Sequence, residues 1–119
     1  MINYPNKTIE IDRKQYKVII DLGSTSSLNV PAETELAKQL LHKYAFQQNE
    51  RKRYTVGGVE TITEQVGKVP KMKIGTLEFT DVDVNINQSS QTRIGMPLFQ
   101  HCLIYIDNTN KKYRIMKVN

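Results

Sequence analysis

The sequence predicts a mainly β domain, a small barrel or sandwich carrying one main helix and one short helix near its C-terminus. Three observations predict it. Short runs of β-branched and aromatic residues alternate with polar ones, and Gly, Pro, Asn or Asp punctuates them at strand-and-turn spacing. Only one segment carries sustained helical periodicity. The 119 residues suffice for a single domain, residues 1–119, with a modest core, and 39% of them are apolar.

The elements follow in order. Ile9-Glu10-Ile11 alternates as a strand, Asp12-Arg13-Lys14-Gln15 reads as a turn, and Tyr16-Lys17-Val18-Ile19-Ile20 is a β-branched run ending at Asp21. Leu22-Gly23-Ser24-Thr25-Ser26-Ser27 is a polar loop. Asn29-Val30-Pro31-Ala32-Glu33 reads as the opening of a helix, with Pro in the first turn and Glu33 and Glu35 at its positive end. That helix is expected over residues 31–44, with Leu36, Leu40 and Tyr44 on one face beside Ala37 and Leu41. Residues 47–52 read as a charged loop.

Residues 54–65 read as a hairpin with Gly57-Gly58 at or near its tip. Residues 66–74 continue as strand, broken by Gly67 and Pro70, and Gly75-Thr76 turns the chain into Leu77-Glu78-Phe79. Val82, Val84 and Ile86 alternate with polar neighbours, so this strand has one buried face. A polar loop at 87–92, a short helix at 96–101 opened by Pro97, and strands at 103–106 and 113–116 around an Asp107-Asn108-Thr109-Asn110 turn complete the chain.

Composition removes several function classes. The longest apolar runs are a few residues, such as Val18-Ile19-Ile20, so no membrane span is expected. Residues 1–7 lack the apolar stretch of a signal peptide, so a soluble chain is expected. The compartment stays open, because a piece of a longer exported protein reads the same way. Cys102 is the single cysteine, which excludes an internal disulfide, and with His42 and His101 it makes too small a set for a structural zinc site. No metal or cofactor is expected. The net charge of +5 comes from scattered Lys and Arg, with local clusters at Arg51-Lys52-Arg53 and Lys111-Lys112. Those read as solvated loops, and no nucleic-acid partner is expected.

One acidic residue stands out by position. Asp21 directly follows a β-branched core run and directly precedes Leu22-Gly23-Ser24. Backbone N–H groups of the turn can hold a carboxylate there, and the Ser24 hydroxyl can add a donor. A strand-end Asp that merely caps a turn has the same local sequence. The other candidates are weaker. Asp81 and Asp83 flank Val82 and are expected in solvent. Adjacent His101 and Cys102 point apart, so they do not suit a nucleophile pair, and Cys102 reads as a small core residue. Residues 24–27 are Ser/Thr-rich but lack Gly-x-Ser-x-Gly. Gly57-Gly58 lacks the Lys-Ser/Thr of a phosphate loop.

The stretch from Val18 through Asp21-Leu22-Gly23-Ser24 to Pro31 resembles the active-site segment of retropepsin-like aspartic proteases, an apolar strand followed by Asp-Thr-Gly-Ala/Ser and a polar loop. Further motifs continue the resemblance in order. Tyr54-Thr55-Val56-Gly57-Gly58-Val59 looks like the glycine-rich flap, and the run from Val69 to Leu77 looks like the paired strands after it. Arg93-Ile94-Gly95-Met96-Pro97-Leu98-Phe99 is similar to the second signature, and Tyr105-Ile106-Asp107 with Tyr113-Arg114-Ile115 to the closing strands. The flavour is closer to bacterial aspartyl-protease-like domains than to viral enzymes.

The resemblance implies a small closed acid-protease β-barrel and an acid–base mechanism without metal or covalent intermediate. Two Asp carboxylates from two lobes share a proton, because like charges that close cannot both be ionised. The ionised one activates water and the protonated one donates. It implies Asp21 as the catalytic carboxylate, Leu22, Gly23 and Ser24 as the active-site loop, and Val56, Gly57, Gly58 and Val59 as flap and substrate contacts. With one Asp-x-Gly-Ser, the chain is one lobe. The second is another copy in a homodimer or another domain of a longer polypeptide, and the partner is a peptide or protein substrate. One departure is plain. The family has Thr or Ser after the Asp, bracing the two lobes by a hydrogen bond, and here Leu22 stands there. Two readings follow: an aspartic endopeptidase lobe, or a catalytically silent lobe that binds peptide or scaffolds a partner. A small basic nucleic-acid-binding barrel ranks behind both.

Overall fold

The alternation seen in the sequence becomes strand almost throughout. The computed structural model describes residues 2–3, 6–100, 102–107, 109–110 and 112–117. Their strands are β1 (Ile2–Asn3), β2 (Asn6–Ile11), β3 (Lys14–Ile20), β4 (Leu28–Pro31), β5 (Phe46–Thr55), β6 (Gly58–Ile74), β7 (Leu77–Asn87), β8 (Arg93–Ile94), β9 (Cys102–Asp107) and β10 (Lys112–Lys117). One α-helix, α1 (Glu35–Lys43), and a 3-10 turn at Met96–Phe99 complete them.

The fold is mainly β with one helix. Seven strands pair in the order β2-β3-β8-β4-β7-β6-β5, and β1-β10-β9 form a second sheet. The larger sheet curls until β2 meets β6, but only at Ile9↔Ile74 and Glu10↔Lys73. β5 stays outside this ring. The expected closed barrel is therefore met only in its β character. The 17-residue β6 divides its length among β7, β5 and β2, which leaves little of it for closure.

The core lies inside the curl. Ile9, Leu28, Val30, Val69, Val84 and Ile94 are fully buried from five different strands, and Leu36, Ala37 and Leu40 of α1 cover one side. Each such aliphatic side chain contributes about 1.5–3 kcal/mol relative to exposure. Val82, Val84 and Ile86 are buried and Asp81 and Asp83 exposed, as the period of two requires.

Several boundaries differ from the sequence reading. Residues 28–31 form a strand rather than a helix start, because Leu28, Val30 and Pro31 are buried between β7 and β8. Pro31 sits at the strand's end, where a missing N–H does least harm. The helix begins after Thr34, whose Oγ1 accepts the Ala37 N–H at 3.2 Å. Residues 47–52 are strand rather than loop, since ten residue pairs with β6 override their polar composition. Gly67 and Pro70 do not break β6. The short helix is a single 3-10 turn, and its expected last residue, His101, lies outside the described residues. Among the described residues no helix is long and apolar enough to cross a membrane.

Candidate active site around Asp21

Asp21 directly follows β3, and two elements fix it. Its N–H donates to the Ile94 carbonyl at 2.8 Å, extending the parallel pairing of β3 with β8. Its own carbonyl accepts the Ser24 N–H at 3.0 Å, which folds residues 21–24 into a turn. The strand is anchored from below by buried Val18 and Ile20. β8 lies between β3 and β4, so Ile94-Gly95 is clamped between the strand entering the Asp21 loop and the strand leaving it. Gly95 N–H donates to the Ser27 carbonyl at 3.0 Å. A Cβ on Gly95 would stand 2.7 Å from the Ser24 carbonyl oxygen and closer still to that of Ser26. Only glycine permits this approach of backbone to loop.

Both carboxylate oxygens of Asp21 are engaged. Oδ1 accepts the Gly23 N–H at 3.1 Å. Oδ2 accepts a bond from Arg93 Nη1, also at 3.1 Å, and the two side chains are about a third exposed. Gly23 thus supplies the expected backbone donor. The Ser24 hydroxyl does not donate to Asp21 and instead accepts the Ser26 N–H at 3.3 Å. Leu22 is half-buried, packs against the core and lines an apolar recess with Met96, Pro97, Phe99 and Cys102.

Asp21 and Arg93 open into a polar cleft of about 780 Å³. Its other wall is the β5–β6 hairpin, through Arg51, Arg53 and residues 60–63. The turn of that hairpin is Val56-Gly57, one residue earlier than the expected glycine pair, because Gly58 already pairs with Thr55. Gly58 has a φ of 131°, which favours glycine. Val56 and Val59 at the tip are exposed, and neither lines the cleft.

Beneath the cleft lies a network that the sequence reading missed. Glu64 on β6 is 3% exposed. Its Oε1 accepts bonds from Arg51 Nε at 3.1 Å and Asn85 Nδ2 at 3.0 Å, and its Oε2 from Asn87 Nδ2 at 3.0 Å. Asn87 and Asn29 exchange two bonds, at 2.9 and 3.2 Å, and Asn29 Nδ2 also reaches Ser89 Oγ at 2.9 Å. The chain of contacts ties the hairpin to β7, β4 and the loop before β8. A signal was present. Glu64 shares the strand parity of Ile62 and Val66, so the alternation already turned it inward.

The remaining candidates fall elsewhere. Asp107 accepts the N–H groups of Thr109 and Asn110 at 3.1 Å each, the turn role expected of it. Cys102 is half-buried against the core, and its neighbour His101 lies outside the described residues. Among the described residues no three His, Cys, Asp or Glu side chains gather where they would hold a metal ion. The basic cluster at 51–53 is divided by the pleat. Arg51 and Arg53 pair with Glu64 and Glu60, and Lys52 takes the opposite face.

Scanned against known protein families, the chain matches none, and a search of curated proteins finds no match either.

Proposed function

We propose that this chain is one lobe of an aspartic peptidase of retropepsin-like type, hydrolysing peptide bonds when Asp21 meets a second carboxylate from another lobe. One observation carries the reading. The Asp21-Leu22-Gly23-Ser24 turn and the Ile94-Gly95 strand, 70 residues apart in the chain, lock together at the edge of a cleft whose opposite wall is a hairpin. In this reading the curled ring of β2, β3, β8, β4, β7 and β6 is the lobe's barrel and the β5–β6 hairpin is its flap. The exposed tip residues Val56 and Val59 fold over bound peptide.

In the lone lobe Asp21 has no acid partner. Its oxygens hold an amide and a guanidinium, and neither is an acid of suitable strength. A second carboxylate drawn against it makes one of the pair hold a proton, giving an acid and a base from like groups. A water between them attacks the peptide carbonyl while the protonated carboxyl donates to its oxygen. The second lobe is another copy of the chain or a further domain. Leu22 and the half-exposed Met96 brace it by apolar contact, in place of the hydroxyl the family uses.

The Arg93–Asp21 ion pair favours a second reading, a lobe that binds peptide without cutting it, since the guanidinium occupies an oxygen that the chemistry needs. Concentration separates the two. A mixed peptide library is incubated with the chain over a range of dilution and mildly acidic to neutral pH. Cleavage whose specific rate falls on dilution is the outcome for a homodimeric site. Retained peptide with no cleavage at any concentration supports the binding reading.

A further inference from the structure

The cleft beside Asp21 has an unusual lining for a site that takes peptide. Among the described residues on its walls, Ile62 alone has an aliphatic side chain, and the other side chains are hydroxyls, amides and charges. Three guanidiniums, of Arg51, Arg53 and Arg93, face it, and each is paired with one carboxylate, of Glu64, Glu60 and Asp21 respectively. Among the described residues no aromatic ring lines it.

Arg51 is the anchored member of the three. Its Nε bonds to Glu64, whose carboxylate is itself fixed by the amides of Asn85 and Asn87. The guanidinium is thereby held in orientation at the cost of only one of its donors. Among the described residues its two terminal nitrogens make no bond to protein, and its side chain is 46% exposed where it borders the cleft. A planar guanidinium held by its Nε edge presents parallel N–H donors at its other edge, which match a carboxylate. Arg53 lies two residues along the same strand and so has the same facing.

The geometry points to a cleft selective for acidic peptide segments, with Arg51 as the specificity-determining residue that receives a Glu or Asp side chain. The inference rests on the peptide-handling reading above and names its substrate class. Three features bring carboxylates rather than apolar side chains to the cleft: the scarcity of apolar lining, the unengaged terminal nitrogens of Arg51, and the net charge of +5 on the chain. The missing aromatic platform disfavours single-stranded nucleic acid, whose bases need a stacking surface.

The test is binding of a fluorescent Glu-rich peptide and of its Glu→Gln counterpart to the wild-type chain, read by anisotropy, with cleavage followed by mass spectrometry. The Glu-rich peptide should bind about tenfold more tightly at low salt, and the ratio should shrink as salt rises. Arg51→Gln alone strands the buried Glu64, so it is combined with Glu64→Gln, and a melting curve confirms folding. In that double variant the two peptides should bind within about twofold of each other. Arg53→Gln, at an exposed pair, should leave the fold intact and lower the Glu preference by less. Equal affinity of wild type for both peptides overturns the inference. So does an oligonucleotide of equal length that binds more tightly than the Glu-rich peptide. Acid-selective binding without cleavage upholds it while removing the hydrolytic reading. Cleavage with no acid preference does the reverse.

Discussion

Replacing Gly95 by Ala tests the clamp that holds the Asp21 loop. The φ of Gly95 is −109°, which any residue adopts, so the penalty is one of space and not of backbone preference. The added methyl would stand 2.7 Å from the Ser24 carbonyl oxygen and nearer still to that of Ser26. Both obstacles are backbone, so neither can swing aside as a side chain would. Relief requires β8 or the loop to move, which stretches the Gly95–Ser27 bond of 3.0 Å and the Asp21–Ile94 bond of 2.8 Å. Each bond contributes about 1 kcal/mol and overpacking a further 1–3 kcal/mol, so the loss is about 3–5 kcal/mol. That is a large share of the stability of a domain this size. Gly23→Ala is the control. Its methyl would meet only Asp21 Oδ1, at 3.4 Å, an ordinary contact, and the cost is under about 1 kcal/mol. Urea unfolding of both variants, followed by circular dichroism, gives the two values. A loss at Gly95 no larger than that at Gly23 would refute the clamp.

Three further outcomes are expected. Arg13 sits in a two-residue hairpin turn at φ 68°, so Arg13→Gly should raise stability by roughly 0.5–1 kcal/mol, read as an increase in Tm. Glu64→Gln should cost about 1–3 kcal/mol in urea unfolding, because one amide cannot accept all three bonds that the carboxylate accepts from Arg51, Asn85 and Asn87. Asp12 lies below its ordinary value of 3.8, chiefly through its hydrogen bond from Lys43, at 2.9 Å. A lowered carboxylate stabilises the fold above its unfolded value and loses that contribution as pH falls through the folded one. Asp12→Asn should therefore cost a few tenths of a kcal/mol at pH 7 for this exposed pair, a cost that shrinks as pH falls below 3.8.

The sequence carried the β class, the buried face of β7 and the position of Asp21, because these depend on local period and on residues adjacent in the chain. It carried the Gly23 donor for the same reason. Pro31 misled because a strand end and a helix start both tolerate its missing N–H, and the parallel partner that decides the matter, β7, lies more than 50 residues on. Residues 47–52 misled because their strand is imposed by β6 and not by their own propensity. Arg93 was visible only as the residue before Ile94-Gly95. That it reaches the carboxylate of Asp21 follows from β8 lying against β3, a contact between segments 72 residues apart. Glu64 has the inward parity of its strand, but its three partners lie on β5 and β7 and become visible only once those strands flank β6.

Asp21 is proposed to carry out peptide hydrolysis. The most direct measurement compares cleavage of one peptide library by the wild type, Asp21→Asn and Leu22→Thr, at equal concentration and with melting curves to show that all three are folded. The proposed role predicts cleavage by the wild type at mildly acidic pH, none by Asp21→Asn, and faster cleavage by Leu22→Thr, which offers the proposed second lobe a hydroxyl. Equal cleavage by the wild type and Asp21→Asn would contradict it.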